Sequence, residues 1–446
     1  MPDPSRQPVC VIGAGLAGSE AAWQIAHRGH PVDLYEMRPE RQTPVHKTGD
    51  FAELVCSNTF KSDSRDTATG LLKEEMRRCG SLILKVADTH RIPAGSALAV
   101  DREGFARGVT EALTSLAGVR IHRREMPALP PEGIVIVASG PLVSASLFED
   151  IGRFTGRDHL YFFDAVSPIV EAESIDLSKV FRASRYGKGD DDYLNCPLDE
   201  EQYERLIDAI LGAATVPRKD FEDTGFFEGC LPIEEMARRG RETLRFGPMK
   251  PVGLVDPATG RRPHAVVQLR QDNAAAEHFN LVGFQNSLRW GDQERVFRLI
   301  PGLEKASFVR LGMIHRNSYI NAPAILLPTF QTRKRADLFF AGQVSGVEGY
   351  LESAASGLIA GINAARLAAG AAAVPFPATT ALGSLGRYIS SADRDDYQPA
   401  NIAFGLLPPL APPVRDKRRR HELLIRRALE DLSSFEEALS PVAPAR

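Results

Sequence analysis

Val9-Cys10-Val11-Ile12-Gly13-Ala14-Gly15-Leu16-Ala17-Gly18 opens the chain with a short apolar run that enters a G-x-G-x-x-G turn. A strand, such a turn and then a helix aim backbone N–H groups and a positive helix end at a pyrophosphate. In that arrangement Gly13 makes the tight turn, Gly15 lets the phosphates approach, and Gly18 lets helix and strand pack closely. Ala14, Leu16 and Ala17 complete the expected loop. The next apolar run, Val32-Asp33-Leu34-Tyr35, closes on Glu36. A carboxylate about twenty residues beyond the glycines would accept a ribose 2′-OH, favouring an adenosine without a 2′-phosphate.

A second segment, separated from the first by most of the chain, reads as part of the same site. Leu338-Phe339-Phe340-Ala341-Gly342-Gln343 is followed by a small-residue helix through Ala354-Ala355 and Gly357 to Gly361. A nicotinamide dehydrogenase needs only the first segment. A late strand ending Ala-Gly-Gln at a helix N-terminus suits a longer dinucleotide whose second half meets another positive end, which points to FAD, with Gly342 and Gln343 among its contacts. Ile134-Val135-Ile136-Val137-Ala138-Ser139-Gly140 reads as a buried strand passing beneath it.

At 446 residues the chain can bury substantial cores. The expected fold is α/β: a Rossmann-like, doubly wound, glutathione-reductase-like FAD-binding domain interrupted by an inserted α+β domain. The boundaries implied are 1–163 for the first part, 164–317 for the insertion and 318–446 for the second part with a basic C-terminal helix. Residues 38–64 read as a long loop, and long loops in compact domains are often functional. Apolar positions from Gly70 to Val86 fit a helix and its continuation.

The net charge of −3 and pI near 6.4 create no global basic field, so any RNA contact must use local patches. Candidates are Arg238, Arg239, Arg241, Arg245 and Lys250, and later Lys417 to Arg420 with Arg426 and Arg427; solvated helix faces explain each cluster equally well. No apolar stretch is long enough to span a bilayer, and no signal-peptide core is visible, so a cytoplasmic protein without membrane contact is expected. Five cysteines, none in C-x-x-C, argue against zinc, any other metal and disulfide-reductase chemistry.

Two of those cysteines stand in unusual settings. Cys56 lies in Glu53-Leu54-Val55-Cys56-Ser57-Asn58-Thr59-Phe60-Lys61, and Lys61 could lower its pKa. Cys230 lies in Phe226-Phe227-Glu228-Gly229-Cys230-Leu231-Pro232-Ile233-Glu234-Glu235, where Pro232 and the two glutamates read as a first helical turn. A thiol just before that turn is favoured as thiolate. Cys10 and Cys79 read as small buried hydrophobes, and Cys196 carries no assignment.

The glycine motif, Glu53 to Phe60, Lys73 to Arg77, Gly225 to Glu235 and Asn401 to Leu410 together resemble the folate- and FAD-dependent tRNA (uracil-5-)-methyltransferases, the TrmFO family. The resemblance runs from Val9 to about Leu432, and its Cys-containing motifs are far more specific than the glycine loop. It implies methylation of uridine C5 in the T-loop of tRNA, with 5,10-methylenetetrahydrofolate as one-carbon donor and NADH or NADPH reducing the FAD. The two functional cysteines of the family fall on Cys56 and Cys230. Thiolate addition at uracil C6 makes C5 nucleophilic, and a second group must then take the C5 proton. Cys230 is the expected nucleophile and Cys56 the proton acceptor or the thiol guarding the flavin; the reverse order also fits. Trp290, His315 and Tyr319 are candidate stacking partners for pterin or base, and Arg289, Arg295 and Arg316 for folate carboxylates or RNA phosphates.

Three other readings follow from the residues. The same chemistry could act on ribosomal RNA. A plain FAD and NAD(P)H oxidoreductase for a small molecule would leave the Cys230 segment without a purpose. A non-catalytic FAD-containing RNA-binding module would keep its RNA affinity after loss of both thiols.

Overall fold

A computed structural model describes residues 7–156, 160–216, 231–395 and 397–439. Its centre is a five-stranded parallel sheet. In spatial order the strands are Leu338–Phe340, Val135–Val137, Val9–Ile12, Val32–Tyr35 and Val119–His122. Val9, Val11, Val32, Leu34, Val135 to Val137 and Leu338 to Phe340 are all fully buried. Near-continuous apolar runs are what a parallel sheet covered on both faces requires. From Val9–Ile12 the chain first builds outward through Val32–Tyr35, then returns to the opposite side at Val135–Val137. The order therefore reverses beside the first strand, and a crevice opens there at the strands' carboxyl ends. This is the Rossmann-like frame expected from the glycine motif.

A second core belongs to a six-stranded antiparallel sheet. It runs Phe181–Arg182, Tyr193–Leu198, Ala265–Gln271, His278–Leu281, Ile169–Glu171 and Phe308–Arg310. Helices Glu200–Leu211 and Trp290–Phe297 bury Tyr203, Leu206, Ile207 and Phe297 in this core. A full capping box, Asp199 with Gln202, starts the first of them. Between the two sheets the chain passes through one antiparallel ribbon, Leu160–Ala165 against Ile314–Tyr319.

Local departures from the sequence reading have local causes. The long early loop contains the strand Thr59–Ser62, paired with Ala97–Val100. The apolar stretch from Gly70 is two helices, Ala68–Arg78 and Leu82–Thr89. Gly80 at φ +74° ends the first, and the Ser81 side chain accepts from Leu84 N to begin the second. The late strand does not feed its helix directly: a 3₁₀ turn, Gln343–Ser345, intervenes before the helix Tyr350–Ala368. Pro232 sits at the N-cap of Ile233–Arg239 rather than inside its first turn.

Buried carboxylates join these pieces. Glu20, fully buried on the first helix (Leu16–His27), accepts from Leu82 N at 3.3 Å, Ile83 N at 3.0 Å and Ser81 Oγ at 2.7 Å. It thus satisfies the start of a helix far away in sequence. Glu75 does the same for Ala381 N and Leu382 N, both at 2.8 Å, at the head of Ala381–Ser391. Removing such an acceptor strands buried N–H groups, at a cost of about 1–3 kcal/mol each. Glu20→Ala is therefore expected to destabilise the protein by roughly 3 kcal/mol, read as a lower denaturant midpoint at unchanged slope. An unaltered midpoint would show that the stranded amides find other partners.

Candidate functional site

The crevice is a cavity of about 330 Å³. It gathers Gly13, Gly15, Leu16, Ala17, Glu36, Gly342 and Gln343 with Cys56, Ser139, Gly140 and Tyr350 on one lining. Seven of the nine expected cofactor contacts thus share a wall with one of the two expected thiols. Ala14 and Gly18 stand just behind it. Cys230 lies outside the described residues.

The glycines differ in what they do. Gly13 has φ +98°, and a Cβ there would lie 2.5 Å from Ala138 O. At Gly18 a Cβ would stand 1.7 Å from Gly13 O. Both are required by packing within the protein. Gly15, the N-cap of Leu16–His27, is different: no protein atom lies within 4 Å of its missing Cβ, and no side chain caps the helix. The bare helix start faces the cavity, as a pyrophosphate needs. Gly349, the N-cap of Tyr350–Ala368, also lacks a side-chain cap and also lines the cavity. The residues present therefore fit a long dinucleotide. Among the described residues no cluster of three or more His, Cys, Asp or Glu could hold a metal ion.

Glu36 is only 5% exposed. Its Oε2 accepts from Ala14 N at 3.0 Å and Arg38 Nη2 at 3.2 Å, and its Oε1 from Arg38 N at 3.0 Å and Nε at 2.9 Å. Burial opposes ionisation, but the Arg38 guanidinium and these N–H groups outweigh it and hold the carboxyl below its usual range. Four donors already use the carboxylate's acceptor capacity. A ribose hydroxyl must share an oxygen with Arg38 or displace one arm of it. Arg38 in turn reaches Glu53 at 3.2 Å, which accepts from Lys47 N and Thr48 N.

The segment around Cys56 is held from several sides. The Tyr350 hydroxyl oxygen accepts from Cys56 N at 2.6 Å and from Ser57 N at 3.3 Å. Arg310 donates to Val55 O at 2.7 Å and Cys56 O at 3.4 Å, and Arg102 donates to Leu54 O. Arg270 reaches Ser57 Oγ and Asn58 Oδ1, both at 3.1 Å. Lys61, expected to act on Cys56, instead donates to Glu352 at 3.0 and 3.2 Å and to Asn401. Tyr350 and the three arginines were missed in the sequence. The only signal for Tyr350 was its place at the head of the small-residue helix.

Of the other described cysteines, Cys196 is buried and Cys10 and Cys79 are half-buried. Burial, with Asp33 adding to it, pushes the Cys10 thiol up to about 12. Burial and then Glu75 do the same for Cys79, and burial raises Cys196. Of the candidate stacking residues, Trp290 is 63% exposed and away from the cavity lining, while Tyr319 is buried beside Tyr397. The side chains of His315 and Arg316 lie outside the described residues. Arg295 pairs with Asp292. Arg238, Arg241 and Arg245 pair with Glu235, Glu204 and Glu242, which spends much of that basic cluster within the protein. No helix among the described residues is long and apolar enough to cross a membrane.

A family model described as "Glucose inhibited division protein A" matches residues 8–372. The methylenetetrahydrofolate–tRNA-(uracil-5-)-methyltransferase TrmFO of Pelotomaculum thermopropionicum is 59% identical over 431 residues, covering 97% of this chain and 99% of that one. The TrmFO of Symbiobacterium thermophilum is 60% identical over 431 residues, covering 96% of each. Among solved structures, Aquifex aeolicus GidA in its form II crystal superposes with a TM-score of 0.70 at 17% identity. That match covers 98% of this chain and 74% of the other, and it supports the fold alone.

Two glycine variants separate cradle from scaffold. Gly15→Ala is expected to leave the melting temperature of the FAD-free protein within about 2 °C of wild type while lowering FAD retention. Gly18→Ala is expected to lower both. Full flavin content in purified Gly15→Ala would mean that the dinucleotide does not cross the first helix start.

Proposed function

From the premise that the chain belongs to the TrmFO family, we propose that it methylates uridine C5 in tRNA, taking the carbon from 5,10-methylenetetrahydrofolate. The observation that best supports this reading is the shared cavity: a two-ended dinucleotide cradle and the Cys56 segment border one space. A small-molecule flavoenzyme would have no need of a thiol segment fixed so elaborately beside the cradle.

Bound FAD supplies the redox equivalents and the relay for the one-carbon unit; NADH or NADPH is the proposed source of those equivalents. The protein's part is binding, orientation and proton handling. Residues Gly13 to Gly18, with Glu36, would hold the dinucleotide's phosphates and ribose, and Gly342 and Gln343 would hold its second half. Gln343 is held toward the cavity by donating to Glu348 at 2.7 Å. In the assignment we favour, the Cys230 thiolate forms a bond to uracil C6, and electron density moves to C5, which attacks the one-carbon unit. Cys56 then accepts the C5 proton. As that proton leaves, the bond from the transferred carbon to its carrier breaks; a hydride equivalent from the reductant then turns the methylene into methyl and returns an electron pair to C5, which expels the Cys230 sulfur from C6 and restores the ring double bond. Tyr350 fixes the backbone that carries Cys56. The T-loop uridine is the proposed target, and the cytoplasm the proposed compartment.

Purified protein with unmodified tRNA, methylene-labelled 5,10-methylenetetrahydrofolate and NADH or NADPH is expected to place label in 5-methyluridine. Cys230→Ala should abolish transfer with FAD retained, and Cys56→Ala should lower turnover by at least ~10²-fold, the usual scale of a lost proton acceptor. Normal turnover by Cys230→Ala removes the nucleophile assignment, and equal labelling of ribosomal RNA removes the choice of tRNA.

A further inference from the structure

Beneath Cys56 lies a cluster of charge that the proposed reaction does not yet use. Arg102 begins the helix Arg102–Thr114, while Arg270 and Arg310 come from two strands of the six-stranded sheet. All three donate to the segment Leu54 to Asn58. Their shared carboxylate is Asp272, which Arg102 meets with two bonds, at 2.8 and 3.2 Å. Three guanidinium groups around one carboxylate leave a positive excess under the thiol. Among the described residues Arg310 Nε has no acceptor.

Among the described residues the remaining charged neighbours reduce that excess without cancelling it. Lys61 and Glu352 neutralise each other at 3.0 Å. Glu53 shares Arg38 with Glu36, which leaves one negative charge on that side against the two positive charges in excess around Asp272. Burial raises the Tyr350 phenol, so it is uncharged and offers its oxygen to Cys56 N.

We propose that Arg310, backed by Arg102, is a positioning residue that fixes the Cys56 backbone and supplies the positive field in which its sulfur ionises readily. The inference rests on the reading of Cys56 as a reacting group and names what prepares it. A proton acceptor must be a thiolate before uracil C5 can give up its hydrogen, and nearby guanidinium charge is what favours that form. The electrostatics run the same way from the arginine's side. Burial, followed by the charge of Arg102, pushes Arg310 down to about 10, while Asp272 and Cys56 pull it back up. Arg310 gains from a negative sulfur as the sulfur gains from Arg310. A guanidinium is suited to the task because its fork can hold two carbonyl oxygens and keep its charge when buried.

The test reads the thiol itself, in FAD-loaded, reduced protein carrying Cys230→Ser, with the alkylation rate of Cys56 by iodoacetamide followed against pH by mass spectrometry. In this background the profile is expected to have its midpoint below the ordinary thiol value of about 8.5. Adding Arg310→Gln, which removes the positive charge, is expected to move the midpoint up and slow alkylation at neutral pH about tenfold. Arg310→Lys is expected to recover most of the rate. An unshifted profile in a folded, flavin-loaded Arg310→Gln protein overturns the proposal. Where that variant does not fold, the profile without it still decides, because a midpoint at or above the ordinary value is equally fatal. No tRNA or folate enters the assay, so the field can be absent while methyl transfer stands, and the reverse.

Discussion

The contact on which the architecture depends is the near-touching of two helices, Leu16–His27 and Tyr350–Ala368. A Cβ on Gly357 would stand 2.1 Å from Ala17 O, and one on Gly361 would stand 2.8 Å from Ala21 Cα. Glycine within a helix costs about 1 kcal/mol against alanine. Here that cost allows two backbones to approach closely. Because they do, two uncapped helix starts from opposite ends of the sequence point into one cavity. A dinucleotide with two polar halves finds a positive end for each.

A second layer of organisation is electrostatic and almost wholly buried. Glu20 and Glu75 serve as caps for distant helices, Glu36 is enclosed by Arg38, and Arg102, Arg270 and Arg310 converge beneath Cys56. Except for Glu36 with Arg38, each group ties together elements far apart in sequence. Buried carboxyl and guanidinium groups are strict about geometry, since a misplaced partner leaves a donor or an ion unsatisfied. Where several elements must be held in register around one cavity, that strictness matters more than the energy.

Legibility in the sequence follows the range of the interactions. The glycine motif, Glu36 and the apolar strand Leu338–Phe340 announce themselves because each is a local pattern with its own mechanism. The cysteine segments were legible as motifs. What the sequence hid were side chains whose meaning comes only from assembly. Arg102, Arg270 and Arg310 sit in unremarkable surroundings, and nothing periodic links them. Arg38 was overlooked although it follows Glu36 by two positions, because a guanidinium folding back onto a carboxylate leaves no pattern. Lys61 was expected to face Cys56, yet the fully buried Glu352, a long-range partner, captures its ammonium group.

The ribbon of Leu160–Ala165 against Ile314–Tyr319 has a consequence for how this chain could have been assembled. Ala165 and Ile314 are register partners, so the antiparallel sheet hangs from its host on a single stem. Everything beyond that stem is, topologically, one elaborated hairpin. Shortening it to a tight turn would leave the host's strand order intact, so an ancestral nucleotide binder could have gained or exchanged this second lobe by one insertion event.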